Sequence, residues 1–268
     1  MFNRIILFSN RLGQSKIGVE KTPKRIKQFL NNSNNFYEVK CRQKPNLMNL
    51  SKNLKKLYTV NSNIHYPKVN IGGDHSMSIA TVADSLNKYP TLKVLWFDAH
   101  ADINTRLSSY TNNYHGMPLS FLTGLDYYKK FNFINNKLSF NRLMYVGIRD
   151  LDNYEKKVID SFNIKYISVN EIRTDIIRST DKILDFMSNN PVHVSFDMDV
   201  MDPVIIHSTG TRVNNGLYFD ETKNILDVIK NKNIVNMDIT ELNLDIGNND
   251  ERMNSLKNTL NLFDQYIN

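Results

Sequence analysis

The stretch "VLWFDAHADIN", residues 94–104, begins as an apolar strand and ends in alternating acidic and imidazole side chains. Side chains at every second position of an extended chain point to the same side. We therefore expect Asp98, His100 and Asp102 to share one face. A strand that serves only the core has no use for three metal-ligand side chains at its end. The pattern predicts a strand that runs into a binding site.

Short runs rich in β-branched and aromatic residues alternate with longer amphipathic segments along the chain. The predicted strands are 4–9, 36–41, 68–72, 92–98, 142–148, 164–169, 192–197 and 234–239. The predicted helices are 22–30, 49–61, 76–88, 117–125, 152–162, 178–189, 220–231 and 251–266. Such alternation is typical of an open, mostly parallel α/β sheet, and a β/α barrel fits the same pattern. No linker or repeat interrupts it, so we expect residues 1–268 to form a single domain.

The composition narrows the class of protein. The chain has 268 residues and one cysteine, Cys41, which excludes an internal disulfide framework and predicts a reducing, cytoplasmic location. Its net charge of +7 comes from scattered Lys and Arg, without a basic patch interleaved with aromatic residues, so no nucleic-acid partner is expected. We recognise neither a signal peptide nor an apolar run of roughly 20 residues, and therefore expect no membrane association.

Acidic and histidine side chains follow four of the predicted strands. The segments are "GDHS" (73–76), "DAHAD" (98–102), "DMDVMD" (197–202) and "TEL" (240–242). In open parallel sheets, ligands bind outside the carboxyl ends of the strands. These segments are therefore expected to converge at one edge of the sheet. The candidate metal ligands among them are His75, Asp98, His100, Asp102, Asp197 and Asp199.

Four ionised carboxylates packed together repel one another unless cations neutralise them. Two divalent ions match four negative charges. Two metal ions that lie roughly 3.5–4 Å apart can activate water for hydrolysis. Oxygen and nitrogen donors without a thiolate favour Mn²⁺ or a similar hard ion. Each segment alone has another explanation, since "GGDHS" (72–76) is also a glycine turn with a helix cap and "DMDVMDP" (197–203) is an acidic loop. Their occurrence at successive strand ends favours the metal site.

With these segments the sequence strongly resembles the arginase (ureohydrolase) family. The family motifs GGDHS, DAHxD and SFDxDxxDP correspond to "GGDHS" (72–76), "DAHAD" (98–102) and "SFDMDVMDP" (195–203). Further similar segments are "KIGVEKTPKRIK" (16–27), "DINTRLSSYTNNYHGMP" (102–118), "VGIRDLD" (146–152), "STGT" (208–211) and "DITELN" (238–243). The resemblance covers nearly the whole chain. It implies a three-layer α/β/α fold with a doubly wound, mostly parallel sheet of about eight strands, and argues against the barrel.

The resemblance also implies two Mn²⁺ ions per subunit. One ion would be held by His75, Asp98, Asp102 and Asp197, and the other by Asp98, His100, Asp197 and Asp199. In the family, a hydroxide that bridges the ions attacks the guanidinium carbon of L-arginine and gives L-ornithine and urea. Asp102 would orient the hydroxide, His115 would transfer protons near an ordinary pKa of about 6.5, and Glu241 would pair with the guanidinium.

The same resemblance gives the positions that bind the amino-acid part of the substrate. Asn104, Thr111 and Asn113 would contact the carboxylate, although the family commonly has Ser where Thr111 stands. Asp152 would meet the α-amino group, and Thr211 would lie near the guanidinium. Agmatine lacks the carboxylate, and a site built to bind a polar group rejects analogues without it. We therefore expect L-arginine as substrate. The alternatives are an agmatinase, another guanidino-compound ureohydrolase, and a catalytically silent arginine-binding homologue.

Three residues depart from the family pattern. Arg106, His207 and Arg212 stand at or beside positions where proline is frequent, and they are expected to add positive charge near the mouth of the site. The resemblance implies a homotrimer. The tail after Leu260, a region that helps subunits assemble in the family, is short here.

Overall fold

The computed structural model describes residues 3–31 and 33–267. Its strands are β1 (Arg4–Phe8), β2 (Asn35–Val39), β3 (Lys68–Gly72), β4 (Lys93–Phe97), β5 (Leu143–Val146), β6 (Lys165–Ile167), β7 (Val192–Asp197) and β8 (Ile234–Thr240). Its helices are α1 (Thr22–Lys27), α2 (Leu47–Asn63), α3 (Ser78–Lys88), α4 (Pro118–Thr123), α5 (Asn153–Ser161), α6 (Val169–Thr174), α7 (Ile176–Met187), α8 (Phe219–Ile229) and α9 (Asn249–Ile267). Every predicted strand overlaps one of these strands.

The strands form one sheet in the order β2-β1-β3-β8-β7-β4-β5-β6, and all the pairings are parallel. Within the described residues, β2 and β6 each pair with one neighbour, so the sheet is open at both edges. The doubly wound α/β fold is therefore confirmed, and the barrel alternative is wrong.

Helices cover both faces of the sheet and give the three expected layers. On one face, an apolar cluster joins the strands to α1 and to the helices from α6 to α9, as Ile183 on α7 and Phe263 on α9 illustrate. On the other face, a second cluster joins them to the helices from α2 to α5 through residues such as Leu54 and Val82. Because both faces are buried, the central strands have little contact with solvent.

The region around β6 differs from the prediction. The expected strand 164–169 ends at Ile167, and the short helix α6 follows it. Ser168 caps that helix, since its hydroxyl accepts the amide of Glu171 at 3.2 Å and Oε2 of Glu171 accepts the amide of Ser168 at 3.0 Å. This reciprocal capping box ends the strand.

Crossing a bilayer requires a helix that is both long and apolar. Within residues 3–31 and 33–267, no helix combines these two properties.

Candidate metal centre

The four segments predicted to converge meet at one end of the sheet. They follow β3, β8, β7 and β4, which are consecutive strands in the sheet order. His75 comes after β3, Glu241 directly follows β8, and Asp197 ends β7. Asp98 directly follows β4. The fold therefore brings together side chains that are more than 100 residues apart in the sequence.

The loop after β4 presents its ligands by turning, and the expected extended run is wrong. The strand ends at Phe97, and the amide of His100 donates to Oδ1 of Asp98 at 2.8 Å. Asp102 has a φ of 49°, in the left-handed region that non-glycine residues rarely occupy. A short carboxylate side chain that bonds the backbone two residues ahead favours such a turn over a continued strand.

The loop after β7 turns in the same way. Met198–Val200 form one turn of 3₁₀ helix, and the amide of Asp199 donates to Oδ1 of Asp197 at 2.9 Å. Oδ1 of Asp199 accepts the amide of Ala99 at 3.3 Å. This bond joins the β7 loop to the β4 loop, so the two sets of ligand side chains are held against each other.

A first group of potential ligands consists of His75, Asp98 and Asp197, whose ligand atoms lie within 4.8 Å of one another. Nδ1 of His75 is 3.2 Å from Oδ2 of Asp98 and 3.1 Å from Oδ2 of Asp197. Nδ1 is also 2.9 Å from Oδ2 of Asp102. None of these contacts has hydrogen-bond geometry, and within the described structure this buried nitrogen has no hydrogen-bond partner. A buried polar atom without a partner is costly, and a cation among these atoms would satisfy it.

A second group consists of Asp98, His100 and Asp199. Nδ1 of His100 lies 3.3 Å from Oδ1 of Asp98 and 3.2 Å from Oδ2 of Asp199. Asp98 belongs to both groups and offers a different oxygen to each. One carboxylate between two groups is the arrangement that a pair of adjacent ions requires. The further roles predicted for Asp102 at one ion and for Asp197 at both ions stay predictions.

The buried carboxylates of the site repel one another. Burial, with the negative charges of Asp199 and Asp98, raises the pKa of Asp197 well above its ordinary value. Burial and the charge of Asp98 also raise the pKa of Asp102 to about 6. Divalent cations would relieve this repulsion. The unsatisfied nitrogen of His75 and the oxygen and nitrogen donors together fit a hard ion such as Mn²⁺.

His115 and Glu241 form a pair beside the metal ligands. Nδ1 of His115 lies 3.0 Å from Oε1 of Glu241, which also accepts the amide of His75 at 2.8 Å. Burial disfavours protonation of His115, but the hydrogen bond and charge of Glu241 outweigh it and raise its pKa to about 9. This value differs from the ordinary pKa expected from the sequence. A neighbouring carboxylate at hydrogen-bond distance is the physical reason.

Gln14 is a neighbour of Glu241 that the sequence analysis missed. Its Nε2 donates to Oε2 of Glu241 at 2.6 Å, and the side chain is buried in the loop after β1. A single Gln in a loop carries no signal of such a contact. The adjacent Gly13 is tightly packed, because an added Cβ there would meet Oδ1 of Asp74 at 2.5 Å.

A cavity of about 280 Å³ opens over this cluster. The predicted substrate contacts that line it are Asn104, Thr111, Asn113, Asp152 and Thr211. His115 lines it too, whereas Glu241 is buried and is not among the lining residues. Glu155 and Tyr110 also line the cavity and were not predicted. Burial and the charge of Asp102 raise the pKa of Glu155 to about 8.

Hydrogen bonds hold the predicted substrate contacts in place. Nδ2 of Asn104 donates to Oδ2 of Asp152 at 2.7 Å. The other oxygen of Asp152 accepts the amides of Tyr154 and Glu155 at 2.8 and 2.9 Å and so caps α5. These bonds fix the carboxylate of Asp152. Its Oδ2 contacts Asn104, and both residues line the cavity. A capped helix start is a rigid support for a binding residue.

The three residues that depart from the family pattern have polar partners near them. Arg106 forms an ion pair with Asp126, with Nη2 2.7 Å from Oδ1. Arg212 contacts His207, whose Nε2 lies 3.5 Å from a carboxylate oxygen of Glu251. None of the three is among the described residues that line the cavity. The expectation of added positive charge at the mouth stays a prediction.

Comparison with known proteins gives consistent similarities. The Arginase family model matches residues 9–262. The arginase of Glaciozyma antarctica (strain PI12) is 38% identical over 189 residues, which cover 67% of this chain and 55% of the relative. The crystal structure of Entamoeba histolytica arginase in complex with L-ornithine has a TM-score of 0.89 and 27% identity, and covers 98% of both chains. The Bacillus subtilis arginase structure has a TM-score of 0.86 and 25% identity, and covers 98% of this chain and 97% of that one. The aligned part thus spans about 55% of the length of the curated relative.

Proposed function

The chain belongs to the arginase family, and from this membership we propose that it is a manganese-dependent arginase that hydrolyses L-arginine to L-ornithine and urea. The observation that carries the proposal is the shared position of Asp98. Its two oxygens face two ligand groups on the floor of a cavity that is lined by the predicted arginine contacts. A hydrolytic centre and a fitting substrate pocket thus lie together.

We propose two Mn²⁺ ions per subunit, held by the residues named from the sequence. One set is His75, Asp98, Asp102 and Asp197, and the other is Asp98, His100, Asp197 and Asp199. When bound, the ions would lower the pKa of water to near neutral and so supply the nucleophile. The unsatisfied Nδ1 of His75 and the repulsion among the carboxylates support this assignment.

The cavity suits a cationic substrate. Asp150 and Asp152 line it outside the proposed metal-ligand sets, and no Lys or Arg is among the described lining residues. The chain as a whole carries a net charge of +7, so the described lining differs from the rest of the chain in having no Lys or Arg. A concave acidic site raises the local concentration of cations such as arginine.

Glu241 would receive the guanidinium. Burial disfavours its ionisation, but the hydrogen bond and charge of His115 outweigh it and keep the pKa of Glu241 below its ordinary value. An ionised carboxylate can bind the planar guanidinium through two parallel hydrogen bonds. Oε1 of Glu241 now contacts His115, so substrate binding there would displace the imidazole.

His115 would supply the proton for the leaving group. While the imidazole contacts Glu241 its pKa is about 9, so it already carries a proton at neutral pH when the substrate displaces it. Once displaced from Glu241, the imidazole lines the cavity and can donate its proton to the departing amino group. Asp102, whose pKa is raised to about 6 by burial and the charge of Asp98, would orient the attacking water. His115 thus acts on the leaving group and Asp102 on the attacking water.

Urea release by the purified, Mn²⁺-loaded chain tests the proposal, with L-arginine and agmatine compared at equal concentrations. We expect urea from L-arginine and at least about 100-fold less from agmatine, because Asn104, Thr111 and Asn113 would have no carboxylate to bind. The control is Asp199→Ala, which removes one ligand of the second group. Preferential release from agmatine would support the agmatinase alternative. Bound Mn²⁺ without urea from either substrate would support the silent arginine-binding homologue.

Asn104→Ala is expected to raise KM for L-arginine about 10- to 100-fold with a smaller change in kcat. Loss of a hydrogen bond to a charged group corresponds to about 1.5–3 kcal/mol, and each 1.4 kcal/mol is tenfold. Steady-state kinetics of urea release measure both constants. Asn63→Ala, at the end of α2, is the matched control. An unchanged KM would mean that Asn104 does not bind substrate.

We further propose that the chain forms one catalytic domain over residues 1–268, assembles as a homotrimer and acts in the cytoplasm. Light scattering of the purified chain tests the assembly. A mass near three times 31.2 kDa is expected, and a monomer would contradict it.

A further inference from the structure

One face of three central strands is polar although it is buried. Along β3, β7 and β8, polar residues alternate with apolar ones, and the apolar side faces the cluster that contains Phe263. The polar residues are Lys68, Asn70, His193, Ser195, Asn236 and Asp238, all with no exposed surface. Buried polar groups are costly unless each has partners. The fold therefore depends on hydrogen bonds between the polar residues of this face.

A chain of hydrogen bonds crosses this face from the metal centre to β8. Nε2 of His75 lies 2.9 Å from Oγ of Ser195, which lies 3.0 Å from Oγ of Ser78 at the start of α3. Oγ of Ser78 donates to Oδ2 of Asp238 at 2.8 Å. All four side chains are fully buried. Bulk solvent therefore does not reach these four side chains in the described structure.

The direction of every bond in the chain follows from Asp238. An ionised carboxylate accepts hydrogen bonds and donates none. Ser78 has one hydroxyl proton and gives it to Asp238, so its oxygen accepts the proton of Ser195. The oxygen of Ser195 then accepts from His75, which must carry its proton on Nε2. Proton counting along the chain thus selects one tautomer of the imidazole.

In the neutral imidazole, which is the form that binds a metal ion, the selected tautomer leaves a lone pair on Nδ1 of His75. That nitrogen is the atom that lies about 3 Å from three carboxylate oxygens and has no hydrogen-bond partner. We infer that Ser78 and Asp238 are positioning residues that hold His75 in the tautomer that binds a metal ion. The inference rests on the metal centre of the proposed function. A partner on the second ring nitrogen commonly orients a metal-binding histidine.

Asp238 is itself held in place by further donors. Its Oδ2 accepts the hydroxyl of Thr81 at 2.5 Å and lies 3.0 Å from Nε2 of His193. Its Oδ1 accepts Nδ2 of Asn70 at 2.8 Å. The carboxylate therefore has no freedom to rotate away from Ser78. Thr81 provides a matched control, because its hydroxyl bonds the same oxygen but is not part of the route to His75.

The test is the Mn²⁺ affinity of the metal-free full chain, measured by titration calorimetry. Ser78→Ala is expected to raise the Kd of the tighter Mn²⁺ ion about 10- to 100-fold, the usual effect of removing a partner of a metal ligand. Thr81→Val, which removes a hydroxyl from the same carboxylate oxygen, is expected to change Kd less than about threefold. Circular dichroism of both variants checks that the fold is kept.

A spectroscopic readout separates positioning from a general loss of structure. In metal-free protein labelled with ¹⁵N-histidine and held at a pH above the raised pKa of His75, long-range proton–nitrogen spectra show which ring nitrogen of the neutral imidazole carries the proton. We expect Nε2–H alone in the unaltered chain and in Thr81→Val, and a mixture of tautomers in Ser78→Ala. Equal Kd values for Ser78→Ala and Thr81→Val, or one unchanged tautomer in all three proteins, would overturn this inference and leave the proposed function intact. Failure of the unaltered chain to bind Mn²⁺ would overturn both.

Discussion

Replacement of Asp98 by alanine is expected to lower the rate of urea release at least about 10³-fold. Asp98 offers Oδ2 to the group around His75 and Oδ1 to the group around His100, so its loss weakens both potential ion sites. Stabilisation of charge by a bound ion amounts to several kcal/mol, and about 4 kcal/mol corresponds to three powers of ten in rate. Trp96 would also lose the acceptor of its Nε1, which lies 3.0 Å from Oδ2 of Asp98.

Steady-state urea release and the manganese content of the purified protein check this result together. The matched control is Asp160→Ala, which removes an exposed carboxylate from α5. We expect the control to keep its activity and its metal. If Asp98→Ala retained more than a tenth of the activity, the assignment of Asp98 as the shared ligand would be wrong.

Lys68→Met is expected to lower the free energy of unfolding by about 3–5 kcal/mol, the usual cost of leaving one partner of a buried ion pair alone. Nζ of Lys68 has no exposed surface and lies 2.7 Å from Oδ2 of Asp84, at the end of β3 remote from the metal centre. It also donates to the carbonyl oxygen of Asn61 at 2.6 Å. Methionine fills the space of the Lys stem but leaves the charge of Asp84 buried without its cation.

Urea denaturation of the metal-free chain measures this effect. The control is Lys223→Met, which breaks an exposed pair with Asp227 on α8 and is expected to cost no more than about 1 kcal/mol. The double variant Lys68→Met with Asp84→Leu is expected to recover most of the loss, since it removes both charges. A loss below about 1 kcal/mol for Lys68→Met alone would show that Asp84 finds another partner or takes up a proton.

The strands could be located from the sequence because each is a short β-branched or aromatic run that ends in a polar turn. The sheet order could not, since the alternation of strands and helices fits both an open sheet and a barrel. Resemblance to the arginase family decided that question. The small helix α6 was missed because its capping pattern, from Ser168 to Glu171, overlaps the apolar run of β6.

The metal ligands could be predicted as residue types at strand ends. The backbone conformation that orients their side chains could not be predicted. The predicted shared strand face is wrong for Asp98, His100 and Asp102, since β4 ends before them and Asp102 has a positive φ. A local turn of this kind depends on contacts with the β7 loop that no short motif records. The raised pKa of His115 likewise depends on Glu241, which lies 126 residues away in the chain.

The polar face beneath α3 was also missed. In "VHVSFD" (192–197) and "IVNMDI" (234–239), polar residues alternate with apolar ones, a pattern that usually indicates a half-exposed strand. Here both faces are buried, and the polar residues pair with one another across neighbouring strands. Such pairing involves β3, β7, β8 and α3 together, so it becomes visible only in three dimensions.

We propose that the loops after β3, β4 and β7 hold two divalent ions that share Asp98. Anomalous X-ray diffraction at the manganese edge, from crystals grown with Mn²⁺, tests it most directly. We expect two peaks roughly 3.5–4 Å apart, one beside His75 and one beside His100, with Asp98 between them. A single peak, or none among these carboxylates, would contradict it.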